Sequence, residues 1–476
     1  MAEKYFIRSK KQKSTRAMSC GKDLMILMLP LIASNILQQL YNTIDSVIIS
    51  HYTNESSFAA VGIASSIMNL FLFLLVGACT GIAVLFSQYF GAGDLPALRR
   101  TCFQASVLGL LFSGALTALG ILCLPAIFLL IQVPDTLAPL VRTYLVVVFL
   151  GLPATFLYNL CSALLRSVGH TVAVLLVLLI SMLVNTGLDL WFVSGLQMGL
   201  FGAALATVIA QILSAVLSVC ILRIRFPQYL FHREDWDMDR GTIHKILRLA
   251  VVTALHQSGL YIGKLMVQGI VNGAGESAIA GFTAATRIDG FANSFGDSGS
   301  AATSVFVAQA VGAGDRDKRE EYYRSSLRIL TGMGLLCSAV MALFAPAFCG
   351  FLTKAGGASW KDGVSYLRTI SLFYLFCFTG NTFAGYFDGI GKAQIPFLGA
   401  ATHIALRFIL SFLLIGRIGL AAVALASGIG WVYANVLWMA IRRHLLKKQQ
   451  GAGRPDRVRK LRAGKSTALA VEGCQR

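Results

Sequence analysis

The chain has 476 residues, of which 56% are hydrophobic and only 13% charged, and it carries a formal net charge of +19. A mean hydropathy of +0.69 excludes a soluble domain of this length, which could not bury so much apolar surface. The positive charge is not a nucleic-acid footprint, because it crowds the termini and alternate loops, the pattern that orients membrane proteins.

Taken in order, a basic N-terminus (Lys4, Arg8, Lys10, Lys11, Lys13, Arg16, Lys22) precedes twelve apolar stretches. They lie at 24–50, 57–88, 102–131, 139–167, 171–194, 199–222, 244–271, 278–310, 325–352, 364–389, 394–415 and 419–441. A helical stretch of about 20 residues crosses the roughly 30 Å hydrocarbon core, and polar breaks are too few for barrel strands. The pattern predicts an all-α polytopic membrane protein with a cytoplasmic N-terminus (1–22), a first lobe of six spans (23–222), a cytoplasmic linker (223–243), a second lobe of six spans (244–445) and a basic, disordered tail (446–476). Loops at 51–57, 194–199 and 272–277 carry no Lys or Arg and are assigned outside; Lys354 and Lys361 break the trend, and both termini still fall inside.

The second span closes on Gln88-Tyr89-Phe90-Gly91-Ala92-Gly93-Asp94, and the eighth closes on Gln309-Ala310-Val311-Gly312-Ala313-Gly314-Asp315, 221 residues later. Tyr144 and Asn159 recur as Tyr366 and Asn381, and Gly199-Leu200-Phe201-Gly202-Ala203-Ala204-Leu205-Ala206 as Gly419-Leu420-Ala421-Ala422-Val423-Ala424-Leu425-Ala426. Six spans precede each boundary, so the halves share one orientation, the plan of a transporter whose lobes rock around a central cavity. The signature lacks the ending of a phosphate-binding loop and follows no strand; it reads as a tight turn whose Asp caps the next helix.

Ionisable groups at membrane depth are functional candidates by default. Asp45 and Asp189 each sit about five residues before the outer end of their spans, so their carboxylates share a depth. Asn185 lies on the same helix face as Asp189, and Thr207 reaches a comparable level from the sixth span. Two carboxylates, an amide and a hydroxyl at one level suit a proton carrier or an oxygen-ligated sodium ion; the plainer alternative is a pair of local caps or a wet vestibule.

The second half differs. Lys264 lies in the seventh span and Arg287, Asp289 and Asp297 in the eighth, with a Lys264–Asp289 ion pair anticipated; His403 and Arg407 follow in the eleventh. Either these groups line a polar substrate cavity or they lock helices together. Asp388 and Lys392 read as a solvated surface pair. Tyr41 and Asn381 are further cavity candidates. Cys79, Cys123, Cys161, Cys220, Cys337 and Cys377 show no metal-ligand spacing and read as small buried hydrophobes. No enzymatic motif such as His-Glu-x-x-His or Gly-x-Ser-x-Gly occurs, and no cofactor is implied beyond a coupling ion, H+ or Na+.

Leu29-Pro30 fifteen residues before Asp45, the two Gln-x-x-Gly-Ala-Gly-Asp loops, Asn185-Thr186-Gly187-Leu188-Asp189 and Gly202-Ala203-Ala204-Leu205-Ala206-Thr207 together resemble the multidrug and toxic compound extrusion (MATE) family, over about residues 20–445. The Asn-x-x-x-Asp pair with Asp45 looks like its DinF-like branch. The resemblance implies a V-shaped cavity between six-helix lobes, a monomer in a bacterial plasma membrane, and antiport of organic cations or drugs against H+ or Na+. It implies a cation site of Asp45, Asn185, Asp189 and Thr207, a helix bend at Pro30, and Asn159 on the same cavity. The NorM-like branch has an acidic residue in the seventh span, where this chain reads Leu255-His256-Gln257-Ser258. A rival reading from the same superfamily is a flippase or exporter of a lipid-linked sugar or other amphipathic anion; it needs a cationic cavity, which Lys264, Arg287 and Arg407 allow, but carboxylates in the first lobe are an odd choice for gripping an anion.

Overall fold

Helix boundaries follow the punctuation of the sequence. The computed structural model describes residues 2–452, with fifteen α-helices and no strand among them. They are α1 (Ala2–Tyr52), α2 (Glu55–Ala92), α3 (Leu95–Leu122), α4 (Leu124–Ile131), α5 (Ala138–Leu150), α6 (Leu152–Ser167), α7 (Thr171–Asp189), α8 (Gly199–Arg225), α9 (Arg240–Asn272), α10 (Glu276–Gly312), α11 (Arg316–Leu352), α12 (Ala358–Ser371), α13 (Tyr374–Gly389), α14 (Gln394–Ile418) and α15 (Ala421–Ala452). Three expected spans are each split in two. Prolines at the first turns of α4 and α6 cannot continue the preceding helix, so the third span breaks at Cys123 and the fourth bends by 45° at Gly151. The tenth breaks between Ser371 and Tyr374. Counting each split pair once gives twelve helical units, six per lobe.

Among the described residues, eight helices are long and apolar enough to cross a membrane, and the bent α5–α6 pair makes a ninth. The longer polar content of α9, α10 and the α12–α13 pair keeps them below that measure. Exposed Leu129, Leu130, Leu343 and Phe351 belong to an apolar exterior suited to lipid. Cys123 and Cys220 are exposed too, against the expectation that they would be buried; no disulfide links the described cysteines. The helix α15 carries the chain to Ala452, so the first residues of the expected disordered tail are helical, and the remainder lies outside the described residues.

Both signature turns are built as the sequence requires. Gly93 (φ 73°) and Gly314 (φ 67°) take left-handed backbone, while Asp94 accepts from the Ala97 N–H (3.0 Å) and Asp315 from the Lys318 N–H (2.8 Å). The linker does the same at α9, where Asp239 accepts from the Thr242 N–H at 2.7 Å. That backbone bond, followed by the Thr242 hydroxyl, holds the Asp239 carboxyl below its usual range.

Two apolar cores fill the molecule, and each borrows a helix start from the other lobe. The first joins α2–α8 with Ile246, Leu249, Ala250 and Ala254 of α9. The second joins α10–α15 with Leu24, Leu27, Met28 and Leu31 of α1. Farther along, Ile49 of α1 returns to the first core, and Val267 and Val271 of α9 to the second. The opening helix of each lobe thus straddles both, and α2 packs along α9 while α10 packs on α1 and α2. At the signature end the crossing is glycine-mediated: a Cβ on Gly91 would overlap the Gln309 backbone, and one on Gly312 would overlap Gln88. That end is closed.

Candidate functional site

The first-lobe site is assembled by three helices. Tyr41 and Asp45 share a face of α1, Asn185 and Asp189 a face of α7, and Thr207 lies eight residues into α8. Asp45 and Asp189 approach within hydrogen-bonding distance of each other. Asp189 is fully buried and Asn185 is 1% exposed, whereas Asp45 is half-buried. With its amide turned so that nitrogen meets acceptors, Asn185 donates to Asp189 Oδ2 (2.9 Å) and Tyr41 Oη (3.3 Å) and accepts from the Thr207 N–H (3.2 Å). The Thr207 side chain lies beside Tyr41, and its hydroxyl donates to the Ala203 carbonyl at 3.0 Å. Among the described residues, no Lys, Arg or His forms an ion pair with either carboxylate. Two carboxylates this close cannot both stay charged without a proton or a cation between them.

Sequence reasoning missed two parts of this site. Tyr144 of α5 is a close electrostatic neighbour of both carboxylates, and its recurrence as Tyr366 was the available signal. The second part is a π-helical segment, Leu190–Gly195, that begins immediately after Asp189 and widens the helix there. Asn159, by contrast, donates to the Thr155 carbonyl of its own helix (2.8 Å) and makes no hydrogen bond to the pair. Pro30 lies within α1, which runs unbroken from Ala2 to Tyr52.

In the second lobe Asp289 is held by Tyr374 Oη (2.6 Å) and Asn293 Nδ2 (3.0 Å) rather than by Lys264. The anticipated Lys264–Asp289 ion pair is absent among the described residues; Lys264 is exposed and within electrostatic reach of both Asp289 and Asp297. Neutral donors satisfy Asp289, and the Lys264 ammonium stays exposed beside it. Arg407 lies beside Tyr366, and His403 stacks on Trp431 (6.2 Å between centroids). Tyr144 and Tyr366 therefore occupy matching places beside carboxylates in the two lobes. Asp297 and Arg287 are exposed, and Asn381 packs on Gly296. Asp388 and Lys392 do not form the expected surface pair: Asp388 Oδ1 is buried without a partner, and Lys392 is exposed.

The signature loops do more than turn. Gln88 Nε2 donates to the Gly389 carbonyl (3.2 Å) and Gln309 Nε2 to the Ser167 carbonyl (2.8 Å), so each signature grips the opposite lobe. Twelve helical units thus form two lobes, closed at the signature end, with a carboxylate pair, one member buried and one half-buried, in the first. The MatE family model matches residues 30–191 and 253–413. The chain belongs to the MatE family. MatE proteins are transporters, not enzymes, and they sit in a membrane and bind small molecules. The probable multidrug resistance protein YpnP of Bacillus subtilis is 23% identical over 418 residues, covering 87% of this chain and 93% of that protein. DNA damage-inducible protein F of Escherichia coli is 28% identical over 352 residues, covering 71% and 73%. A crystal structure of MATE in complex with MaL6 superposes with a TM-score of 0.81 at 25% identity, over 90% of this chain and 97% of that one.

Proposed function

We propose that this MatE transporter exports organic cations or drug-like compounds in exchange for protons. The carrying observation is the Asp45–Asp189 pair, which is close, buried at Asp189 and half-buried at Asp45, and without a basic ion-pair partner among the described residues. With the basic loops inside, the signature end faces the cytoplasm and both termini lie there. The closed signature end then corresponds to an outward-open state. In the cycle, substrate enters from the cytoplasm, the lobes rock, and a proton taken up by the pair weakens substrate binding on the outer side. The pair needs only a different proton affinity in the two lobe arrangements.

A proton is favoured over sodium by the closeness of the two carboxylates, which approach within hydrogen-bonding distance of each other, the arrangement of an acid and its conjugate base sharing one proton. A second reading, export of an amphipathic anion, is supported by Lys264, which is exposed and free of any ion pair among the described residues. Efflux of a cationic dye from proteoliposomes, with proton and sodium gradients imposed separately, tests both. Transport driven by the sodium gradient alone overturns the proton assignment. Transport of only anionic substrates favours the second reading.

A further inference from the structure

The signature end also holds a cavity of about 140 Å³ that the transport cycle does not use. Three cations line it: Arg319 from α11, Lys392 from the α13–α14 turn and Arg442 from α15. Ile390, Leu445 and Leu446 give it an apolar wall. Arg442 is fixed in place, ion-paired with Glu320 and stacked over the Tyr323 ring at 3.8 Å from its centroid. Glu320 also meets Arg319 at 3.4 Å and accepts from Tyr386 Oη at 3.2 Å. One carboxylate therefore serves two of the cations, and Lys392 forms no ion pair among the described residues. The Nε atoms of Arg319 and Arg442 are buried without an acceptor. Unmet donors of this kind favour a ligand rich in acceptor oxygens.

The internal repeat sharpens the point. In the first lobe the equivalent corner is covered by the chain itself. His170, the counterpart of Lys392, stacks on Phe226 (4.1 Å between centroids), and Arg99, the counterpart of Glu320, pairs with Asp235 of the linker at 3.0 Å. The linker thus supplies an aromatic ring and a carboxylate. The sequence that follows α15 in the same position is dominated by Arg454, Arg457, Arg459, Lys460 and Arg462, so its charge does not complement a cationic cavity.

We propose that this cavity binds the phosphoryl headgroup of an anionic phospholipid, with the glycerol and upper acyl region against Ile390, Leu445 and Leu446. The leaflet, but not the chemistry, rests on the orientation proposed above; inner-leaflet lipids are the ones carrying such charge to a cytoplasmic rim. Because Ile390 adjoins the Gly389 carbonyl that Gln88 holds, an occupied cavity also braces the closed end.

The test is thermal unfolding of the purified, delipidated full chain in neutral detergent, titrated with phosphatidylglycerol, phosphatidylcholine or inorganic phosphate. Phosphatidylglycerol is expected to raise the unfolding midpoint in a saturable way and phosphatidylcholine is not. Lys392→Gln, at an exposed side chain, is expected to weaken the phosphatidylglycerol response about tenfold, whereas Lys354→Gln, at the other end of the molecule, leaves it unchanged. Equal responses to the two lipids, or an unaltered response in Lys392→Gln, overturn the site. A response to inorganic phosphate matching that to phosphatidylglycerol overturns the lipid assignment in favour of a soluble anion. No transport is measured, so failure of the antiport reading leaves this result readable.

Discussion

The side-chain amide of Gln309 donates to the carbonyl of Ser167 at 2.8 Å, tying the end of α10 to the end of α6 in the other lobe. Its repeat partner Gln88 does the same to Gly389, and Ser167 and Gly389 are themselves equivalent positions, 222 residues apart. A pair of reciprocal latches therefore closes the signature end, and opening at that end has to break both.

Each latch is a neutral hydrogen bond with a net value of about 1 kcal/mol, or about a fivefold shift in the ratio of closed to open. Gln88→Ala and Gln309→Ala are each expected to raise the population open at this end by about that factor. They share no partner, so the double variant should combine both shifts to roughly 25-fold. Spin labels at exposed Arg100 and Lys318, in a cysteine-depleted background, read the lobe separation directly. Distance distributions that stay identical in the double variant sink the latch.

The carboxylate pair makes a signed prediction about pH. An organic cation is attracted to the deprotonated, anionic pair, so its affinity should rise as pH rises and fall as the pair takes up its proton. Asp45→Asn or Asp189→Asn removes the titrating charge, so affinity should become flat with pH and proton-driven efflux should fall by at least about tenfold. Tyr144→Phe, which keeps both carboxylates, is expected to alter affinity while preserving the slope. Dye binding measured from pH 5.5 to 8.5 decides the matter: a slope retained in Asp45→Asn excludes this pair as the coupling site.

Helix number and the two-lobe plan were legible because they depend on span length and on a repeat visible in the residues themselves. Asp45, Asn185, Asp189 and Thr207 were legible as a group because helical rise converts sequence spacing into depth. Azimuth was not available from spacing, and that is why Lys264 was matched with Asp289: the two share a depth, but Tyr374 and Asn293 occupy the positions around Asp289. The latches escaped for a related reason. A glutamine before a glycine turn looks local, and its partner carbonyl lies in the other lobe. The π-helical segment after Asp189 has no sequence mark, since its residues, Leu190–Gly195, are ordinary apolar ones.

Tyr374 carries the main bond to Asp289, a 2.6 Å contact from a fully buried ring. Hydrogen bonds to charged groups contribute about 1.5–3 kcal/mol. Tyr374→Phe keeps the packing and deletes the donor, so it should lower the thermal unfolding midpoint by a few degrees. Should Lys264 or Arg407 swing in to replace the lost donor, the double variant Tyr374→Phe/Lys264→Gln would be more destabilised than the separate effects together. An unchanged midpoint in Tyr374→Phe would mean that Asp289 does not depend on this bond.

The linker between the lobes is docked on α3 by one ion pair and a small aromatic cluster. Asp235, with its side chain 5% exposed, meets Arg99 Nε at 3.0 Å and accepts from the His232 N–H at 2.9 Å. Phe103 packs between Phe231 (5.3 Å) and Trp236 (5.9 Å). Breaking a fully buried ion pair costs about 3–5 kcal/mol; the Arg99 side chain is 25% exposed, so roughly 1–3 kcal/mol is appropriate here. Arg99→Ala should therefore free the linker and speed limited tryptic cleavage at Arg225 or Arg233 on the order of tenfold, because the cleavable state is the undocked one. Gln104, which donates to the Asp237 carbonyl at 2.8 Å, offers an independent check. Gln104→Ala removes a neutral bond and should accelerate cleavage by less. The charge-reversed pair Arg99→Asp/Asp235→Arg should recover part of the protection, since the attraction survives the exchange while the His232 contact does not. Cleavage as slow in Arg99→Ala as in the native chain would show that the aromatic contacts alone hold the linker down.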